Sequence, residues 1–371
     1  MKKVLILGGY GNFGSHITRS LAAESDIRVI IAGRDQEKCE RLAAEIQKAP
    51  NLPLYHALDV HKDLPAVLER VKPDIVIHAS GPFQGQGYHV AEACIAHGCH
   101  YIDLADGREF VTGIGRLDKS AKEKGVAVIS GASSVPCLTS ALVDYYLPQF
   151  QNLKTVDYGI TTAQRTNIGV ATTAAVLSYA GKPFTTLQMG RMEQVYGWQG
   201  IRLHNYPELG FRLLGNCDIP DLAIFPDRYK SLENIHFYAG QEISALHLGL
   251  WALTWLVRTG IIKNLGDHAG KLLKISRLFD FLGSNKSGLH MSLKGTGADG
   301  KPRETTFYLI AKSGHGPLIP AMPSILCAKM LTRGGLAQRG AFPCVGIITL
   351  PQYLDALKGY DIRSMEARMP A

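Results

Sequence analysis

A chain of 371 residues, 46% hydrophobic and 19% charged with no low-complexity tract, is too long for one ordinary core and too apolar for extended disorder, so two folded domains are expected. The net charge of +8 comes from scattered Lys and Arg without the stripe or module of a nucleic-acid binder, and it suits a phosphate-bearing small ligand. The seven cysteines are odd in number and lack Cys-x-x-Cys spacing, which excludes a disulfide framework and a zinc site and points to reduced, cytoplasmic thiols.

The opening MKKVLILGG imitates a leader peptide, but its apolar run, Val4 to Leu7, is too short for one and ends in glycine. That run reads as a buried parallel strand. From Asn12, Phe13, Ile17 and Leu21 recur on one helical face. A strand follows at Ile27 to Ala32, a helix through Cys39, Leu42, Ala43 and Ile46, and a strand at Leu54 to Val60. Then come a helix over Leu64, Leu68 and Val71, a strand at Asp74 to Ala79, a helix from Tyr88 to His97, a strand at His100 to Leu104, a helix ending near Lys124 and a strand at Val126 to Ile129. Six strands alternating with helices predict a doubly wound parallel α/β sheet with right-handed crossovers and a ligand site beyond the carboxyl ends of the strands.

The glycine pattern sits in that context. GGYGNFG supplies G-x-G-x-x-G as Gly9, Gly11 and Gly14 between a strand and a helix. These glycines give a tight turn, a close approach to a pyrophosphate and close helix packing, so Gly9, Tyr10, Gly11, Asn12, Phe13 and Gly14 are cofactor-binding candidates in a Rossmann domain. The second strand ends in Gly33-Arg34-Asp35. Arginine there favours the 2′-phosphate of NADP, whereas Asp35 on a ribose, or as a helix cap, would suit NAD. Asp59 and Val60 close the third strand beside the adenine, with helix capping as the alternative role for Asp59. Ser80, Gly81 and Pro82 follow the fourth strand, near the expected nicotinamide and ribose.

After the fifth strand, Tyr101 and Asp103 alternate onto one side as acid-base candidates, while Asp103 equally suits a helix cap. Arg108 is a candidate for a substrate carboxylate. Beyond the sixth strand, Ser133 and Ser134 are substrate candidates, and Cys137 reads either as an acid-base thiol or as an inert buried one.

Together these stretches resemble the saccharopine dehydrogenase-like oxidoreductase family. The resemblance extends from GGYGNFG, AGRD, SGPFQGQGYHVAEACIAHGCHYIDLADG and GASSVPCLTSALVD through NCDIPDLAIFP, FLGSNKSGLHMSLKG, SGHGPLIP and RGAFPCVGIITL. It implies a nicotinamide cofactor and a Rossmann domain over 1–135. It further implies a second α/β (α+β, open mixed sheet) substrate domain over 136–320, and a C-terminal segment, 321–371, returning to the first domain. The family's saccharopine reductases reduce the imine formed between an aldehyde and glutamate, with acid-base residues in the loops that map to Asp103 and to Ser133 through Cys137. This chain carries Ser134-Val135-Pro136-Cys137 where they carry an Asp-Pro-Gly run, which separates it from the reductases and places it nearer another oxidoreductase branch.

Beyond residue 136, Asp157 to Thr162 reads as a strand and Thr172 to Tyr179 as a helix. Met291 to Lys294 and Thr305 to Ala311 read as a hairpin turning at Ala298-Asp299-Gly300. His290 and His315 are candidate proton donors, the latter in a Gly-His-Gly-Pro loop near the substrate. Arg191, Arg202 and Arg212 suit an acidic substrate or an ordinary surface. The apolar run from Ala245 to Val257 falls short of the ~20 residues that span a bilayer; with Trp251 and Trp255 it suits the core, a homodimer or a peripheral membrane contact. The leading expectation is a cytoplasmic oxidoreductase moving hydride from NADPH to a C=N, C=O or activated C=C carbon of a small molecule. The alternative is a dinucleotide-binding protein without turnover, held to a membrane or partner by that helix.

Overall fold

The computed structural model describes residues 1–166 and 169–368. Its contacts divide into two units: Met1–Leu138 with Pro317–Ile348, and Thr139–Gly316 with the chain from Thr349 on.

The first unit begins with strand β1 (Lys2–Leu7), helix α1 (Asn12–Ala22), β2 (Ile27–Gly33), α2 (Gln36–Glu45), β3 (Leu54–Ala57) and α3 (Leu64–Val71). It continues with β4 (Ile75–His78), α4 (His89–Ala96), β5 (His100–Asp103), α5 (Arg108–Gly113), α6 (Asp118–Glu123) and β6 (Ala127–Ser130). Val4, Leu5, Ile6 and Leu7 are fully buried because helices cover both faces of the sheet, which is why these strands read as continuous apolar runs. In α1 the buried stripe is Gly14, Ile17, Thr18 and Leu21, not Phe13, which stays half-exposed at the helix mouth. β3 stops at Ala57 rather than Val60, because Asp59 takes the chain into a turn in which its carboxylate accepts from the His61 N–H at 3.0 Å.

The second unit runs through α7 (Thr139–Tyr146), β7 (Phe150–Thr162), α8 (Gly169–Ser178), β8 (Pro183–Gln188), β9 (Arg191–Tyr196), β10 (Arg202–Tyr206), β11 (Gly210–Asn216) and α9 (Asp221–Arg228). It goes on with β12 (Asn234–Gln241), α10 (Ser244–Arg258), α11 (Ala269–Arg277), β13 (Ser287–Gly297) and β14 (Pro302–Ala311). The chain then gives α12 (Leu318–Thr332) and β15 (Gly340–Pro343) to the first unit, and α13 (Leu350–Ala356) and β16 (Ile362–Arg368) to the second. The C-terminal segment is thus divided between the units.

In the first unit the sheet order is β15-β6-β5-β4-β1-β2-β3, parallel throughout. β15 adds a seventh strand to the six read from the pattern. The order reverses between β1 and β4, opening the crevice in which doubly wound sheets bind ligands. The second sheet, β10-β11-β12-β7-β13-β14-β16, is mixed: β12 and β7 run parallel and its other neighbours antiparallel. One face is apolar, with Val156, Tyr158, Phe237, Leu293 and Phe307 buried toward α7 and α9. The other face is polar, and the β10–β11 hairpin folds over it. Arg202 reaches Asp157 at 3.1 Å, the His204 ring stacks on His290 with centroids 3.6 Å apart, and Tyr206 Oη lies 2.8 Å from His290 Nδ1. Burial lowers both imidazoles from their ordinary range, His290 the more strongly and with His204 adding to its shift, which favours the uncharged rings that stack.

Candidate functional site

The site grows from the start of α1. Gly11 caps that helix without a side-chain hydrogen bond, and no acidic residue occupies the first turn. The Gly11 N–H closes onto Gly8 O at 2.8 Å, and Ser15 is the first residue to close onto Gly11 O, at 2.9 Å. The N–H groups of Asn12, Phe13 and Gly14 therefore point out of the helix end with its positive pole, ready for an anion.

Two glycines show why the motif has its spacing. A Cβ on Gly14 would lie 2.0 Å from Gly8 O, so the helix can pack on the turn only as glycine. Gly11 has an ordinary extended backbone, φ −68° and ψ 178°, and a Cβ there would meet only Gly8 O at 3.0 Å. The fold disfavours a side chain at Gly11 less than at Gly14, since a Cβ on Gly11 would crowd one backbone oxygen without overlapping it. Its missing side chain leaves open the space where a pyrophosphate would approach.

Beside this mouth, β2 delivers Arg34 and Asp35. Arg34 is exposed and makes no hydrogen bond or ion pair among the described residues. Asp35 is committed elsewhere. Its side chain caps α2 by accepting from the Lys38 N–H at 3.2 Å, and it pairs with Lys38 Nζ at 3.0 Å, an interaction that holds the carboxyl below its ordinary range. Tyr10 lies against Gly33, where a Cβ would come within 2.2 Å of its ring, and its hydroxyl accepts from the Asp35 N–H at 3.2 Å. Asp59 is half-buried in its own turn, and Val60 packs against the core.

On the other side of the crevice, a Cβ on Gly8 would lie 2.6 Å from Ser80 Oγ, which puts the loop after β4 directly beside the glycine turn. That loop contains Gly81 and a cis Pro82, and Gln86 Nε2 donates to Ser80 O at 3.4 Å and to Pro82 O. Phe83 anchors it, buried between His78 and Phe110 at ring separations of 5.0 and 5.3 Å.

Tyr101 and Asp103 do share one side of β5, but neither presents an atom to solvent. Asp103 Oδ1 accepts from the Ala105 N–H at 2.9 Å, the Gly131 N–H at 2.8 Å and the Ser130 hydroxyl at 3.1 Å. The carboxylate ties the loop after β5 to the loop after β6. Burial pushes its pKa up to about 6 against the opposing pull of those donors and the Tyr101 hydroxyl. Tyr101 Oη lies 3.1 Å from His78 Nδ1. Burial drives the phenol well above its ordinary range, with the Asp103 charge adding to the effect, and drives His78 down to about 3. The result is an enclosed His78–Tyr101–Asp103 cluster that matches neither sequence reading of Asp103, since the carboxylate reaches no solvent and α5 has Gly107 at its N-cap, without a side-chain cap.

Cys137 is also enclosed. It adjoins Cys344, whose Sγ lies 3.8 Å from that of Cys327, and interaction with Cys137 together with burial holds the Cys344 thiol far above its ordinary range. Of its two sequence readings, the geometry matches the inert buried thiol. Ser133 is nearly buried, while Ser134 and Arg108 are half-buried on loops at the same sheet edge. His315 belongs to the second unit, where its Nδ1 accepts from the Asp361 N–H at 2.9 Å and its ring meets Tyr360 edge-on. That bond leaves the imidazole proton on Nε2.

Three participants escaped the sequence reading. Gly8, ahead of the motif, has φ +77°. Lys38 occupies Asp35. His78, at the end of β4, carried a signal in its polarity within the apolar IVIH run.

Residues 4–129 match the family model described as the saccharopine dehydrogenase NADP binding domain. No curated protein matches the chain in sequence. Among solved structures, the apo saccharopine dehydrogenase (L-Glu forming) of Saccharomyces cerevisiae is similar at a TM-score of 0.69 and 14% identity, covering 99% of this chain and 100% of that one. An amine dehydrogenase from Mycobacterium smegmatis has a TM-score of 0.49 at 11% identity, covering 92% and 94%. The family resemblance read from the motifs is borne out over residues 4–129, and beyond them the likeness is one of fold.

Proposed function

We propose that the chain is an NADPH-dependent oxidoreductase that delivers hydride to a C=N, C=O or activated C=C carbon of a small molecule. The observation that carries this reading is the uncapped start of α1, with three outward N–H groups beside the side-chain-free Gly11. The match of residues 4–129 to an NADP-binding domain supports it. The preference for NADP over NAD rests on the pair at the end of β2. Arg34 is free for a 2′-phosphate, while Asp35, the residue that would otherwise hold a ribose, is tied to Lys38.

When bound, the nicotinamide supplies the hydride. The chain's own residues do the rest. The α1 N–H groups hold the pyrophosphate, and the Ser80–Pro82 loop lines the crevice. Asp103 holds the loops after β5 and β6 in register, so it and Tyr101 act as positioning residues. Ser134 and Arg108, half-buried at that edge, orient the substrate, and the proton comes from water ordered there.

In a fluorescence titration, NADPH should bind more tightly than NADH, and Arg34→Ala should narrow the gap. Equal affinities unchanged by that substitution would reject the NADP preference. Purified protein should oxidise NADPH with at least one member of a carbonyl, imine and enoyl panel. Tight binding with no turnover across all three classes would leave a dinucleotide-binding protein without catalysis.

A further inference from the structure

Four large apolar side chains stand in water within eight residues of the second unit. Ile275 is 52% exposed, Leu278 72%, Phe281 73% and Leu282 60%. Scattered single exposures are ordinary, but a cluster of this size marks an interaction surface. The segment that carries them is firmly anchored. Gln164 Nε2 donates to Ser276 O at 2.9 Å and to Asp280 Oδ1 at 2.8 Å, Arg165 Nε donates to Asp280 O at 2.9 Å, and α11 packs on α8.

The outward face also has a charge. Lys271, Lys274, Ile275 and Leu278 are spaced i, i+3, i+4, i+7, so they share one side of α11, and all four are exposed. Lys271 and Lys274 form no ion pair among the described residues. From residue 258 to 286 the chain carries six Lys and Arg but only Asp267 and Asp280 as acids, and Asp280 turns inward to Gln164. α10 adds exposed Leu248, Trp255 and Leu256, and Ile261 follows it. Among the described residues no helix is long and apolar enough to cross a membrane.

From this we propose that residues Lys271 to Leu282 dock the protein on an anionic lipid surface, with the lysines at the headgroups and Ile275, Leu278, Phe281 and Leu282 among the upper acyl carbons. Cations interleaved with apolar side chains on one face are what such a surface selects. A second copy of this chain is the poorer occupant, because a two-fold contact through the patch would set like charges against each other.

Flotation of the full chain with vesicles tests this. Vesicles of phosphatidylcholine with about a third phosphatidylserine should carry the protein up, pure phosphatidylcholine should not, and raised salt should release it. Lys271→Glu with Lys274→Glu should weaken partitioning by at least about 25-fold, taking about fivefold per cation. Leu278→Ser with Phe281→Ser should weaken it at least about tenfold while leaving the thermal midpoint and NADPH titration unchanged. Equal partitioning to both vesicles, no partitioning to either, or indifference to Leu278→Ser with Phe281→Ser would overturn the proposal. So would a dimer seen by light scattering that dissociates in that double variant while the wild type ignores vesicles.

Discussion

The start of α1 and the ends of β5 and β6 lie at the same edge of one sheet, yet they use polar groups in opposite ways. At the glycine turn, the N–H groups of Asn12, Phe13 and Gly14 and the Arg34 guanidinium have no partner among the described residues. At the ends of β5 and β6, Asp103 Oδ1 gathers two N–H groups and a hydroxyl into the interior beside Tyr101 and His78, while Asp103 Oδ2 and His78 Nε2 are buried there without a hydrogen bond among the described residues. The first region is arranged for something the chain does not contain. The second joins the loops after β5 and β6 through Asp103 Oδ1 and is closed to solvent. Proximity to a motif is therefore weak evidence of catalysis, and unmet hydrogen-bonding capacity at the surface is stronger evidence of a ligand.

The largest effect that would break this contrast is on stability. Asp103→Ala leaves the Ala105 and Gly131 N–H groups and the Ser130 hydroxyl without an acceptor, and should destabilise the first unit by about 3–5 kcal/mol in a urea titration. A loss under 1 kcal/mol would show the cluster to be looser than drawn.

Next comes pH. With a folded pKa of about 6, above the ~3.9 of an unfolded aspartate, Asp103 binds its proton more tightly in the native state. Its contribution is then fully present below pH ~4 and lost as pH rises through 6. Asp103→Asn cannot titrate. The stability of wild type relative to Asp103→Asn should therefore fall by roughly 2 kcal/mol between pH 4 and 7. A difference that stays flat, or rises, would mean the carboxylate is ionised throughout.

The smallest effect is at Arg34. Removing one charge-assisted contact to a 2′-phosphate should weaken NADPH about tenfold and move NADH less than about twofold.

How much the sequence disclosed follows the same divide. The six parallel strands of the first unit and the α1 glycines were legible because each is a local pattern: an apolar run, a four-residue repeat, a turn. β15 was not, since its four residues gain their meaning only by pairing with β6, some 200 positions away. α12 was hidden because it is buried nearly all round and holds Pro320 and Pro323, so it shows neither a stripe nor an uninterrupted helix former. In the second sheet the hairpin turn near Gly300 was readable from its glycine, which has φ +78°. The folding of β10–β11 over the polar face was not, because it depends on His204 meeting His290 across the sheet. Tyr101 and Asp103 were correctly placed on one side of β5. Alternation cannot say whether that side meets water.

The central contrast is tested most directly by calorimetric titration of NADPH into wild type, Gly11→Val and Asp103→Asn, each checked for folding. Gly11→Val keeps a backbone that any residue can adopt and puts its bulk where the pyrophosphate would lie. About one NADPH per chain is expected in wild type, affinity within about threefold in Asp103→Asn, and no measurable binding in folded Gly11→Val. Wild-type affinity in Gly11→Val, or abolished binding in a folded Asp103→Asn, would contradict it.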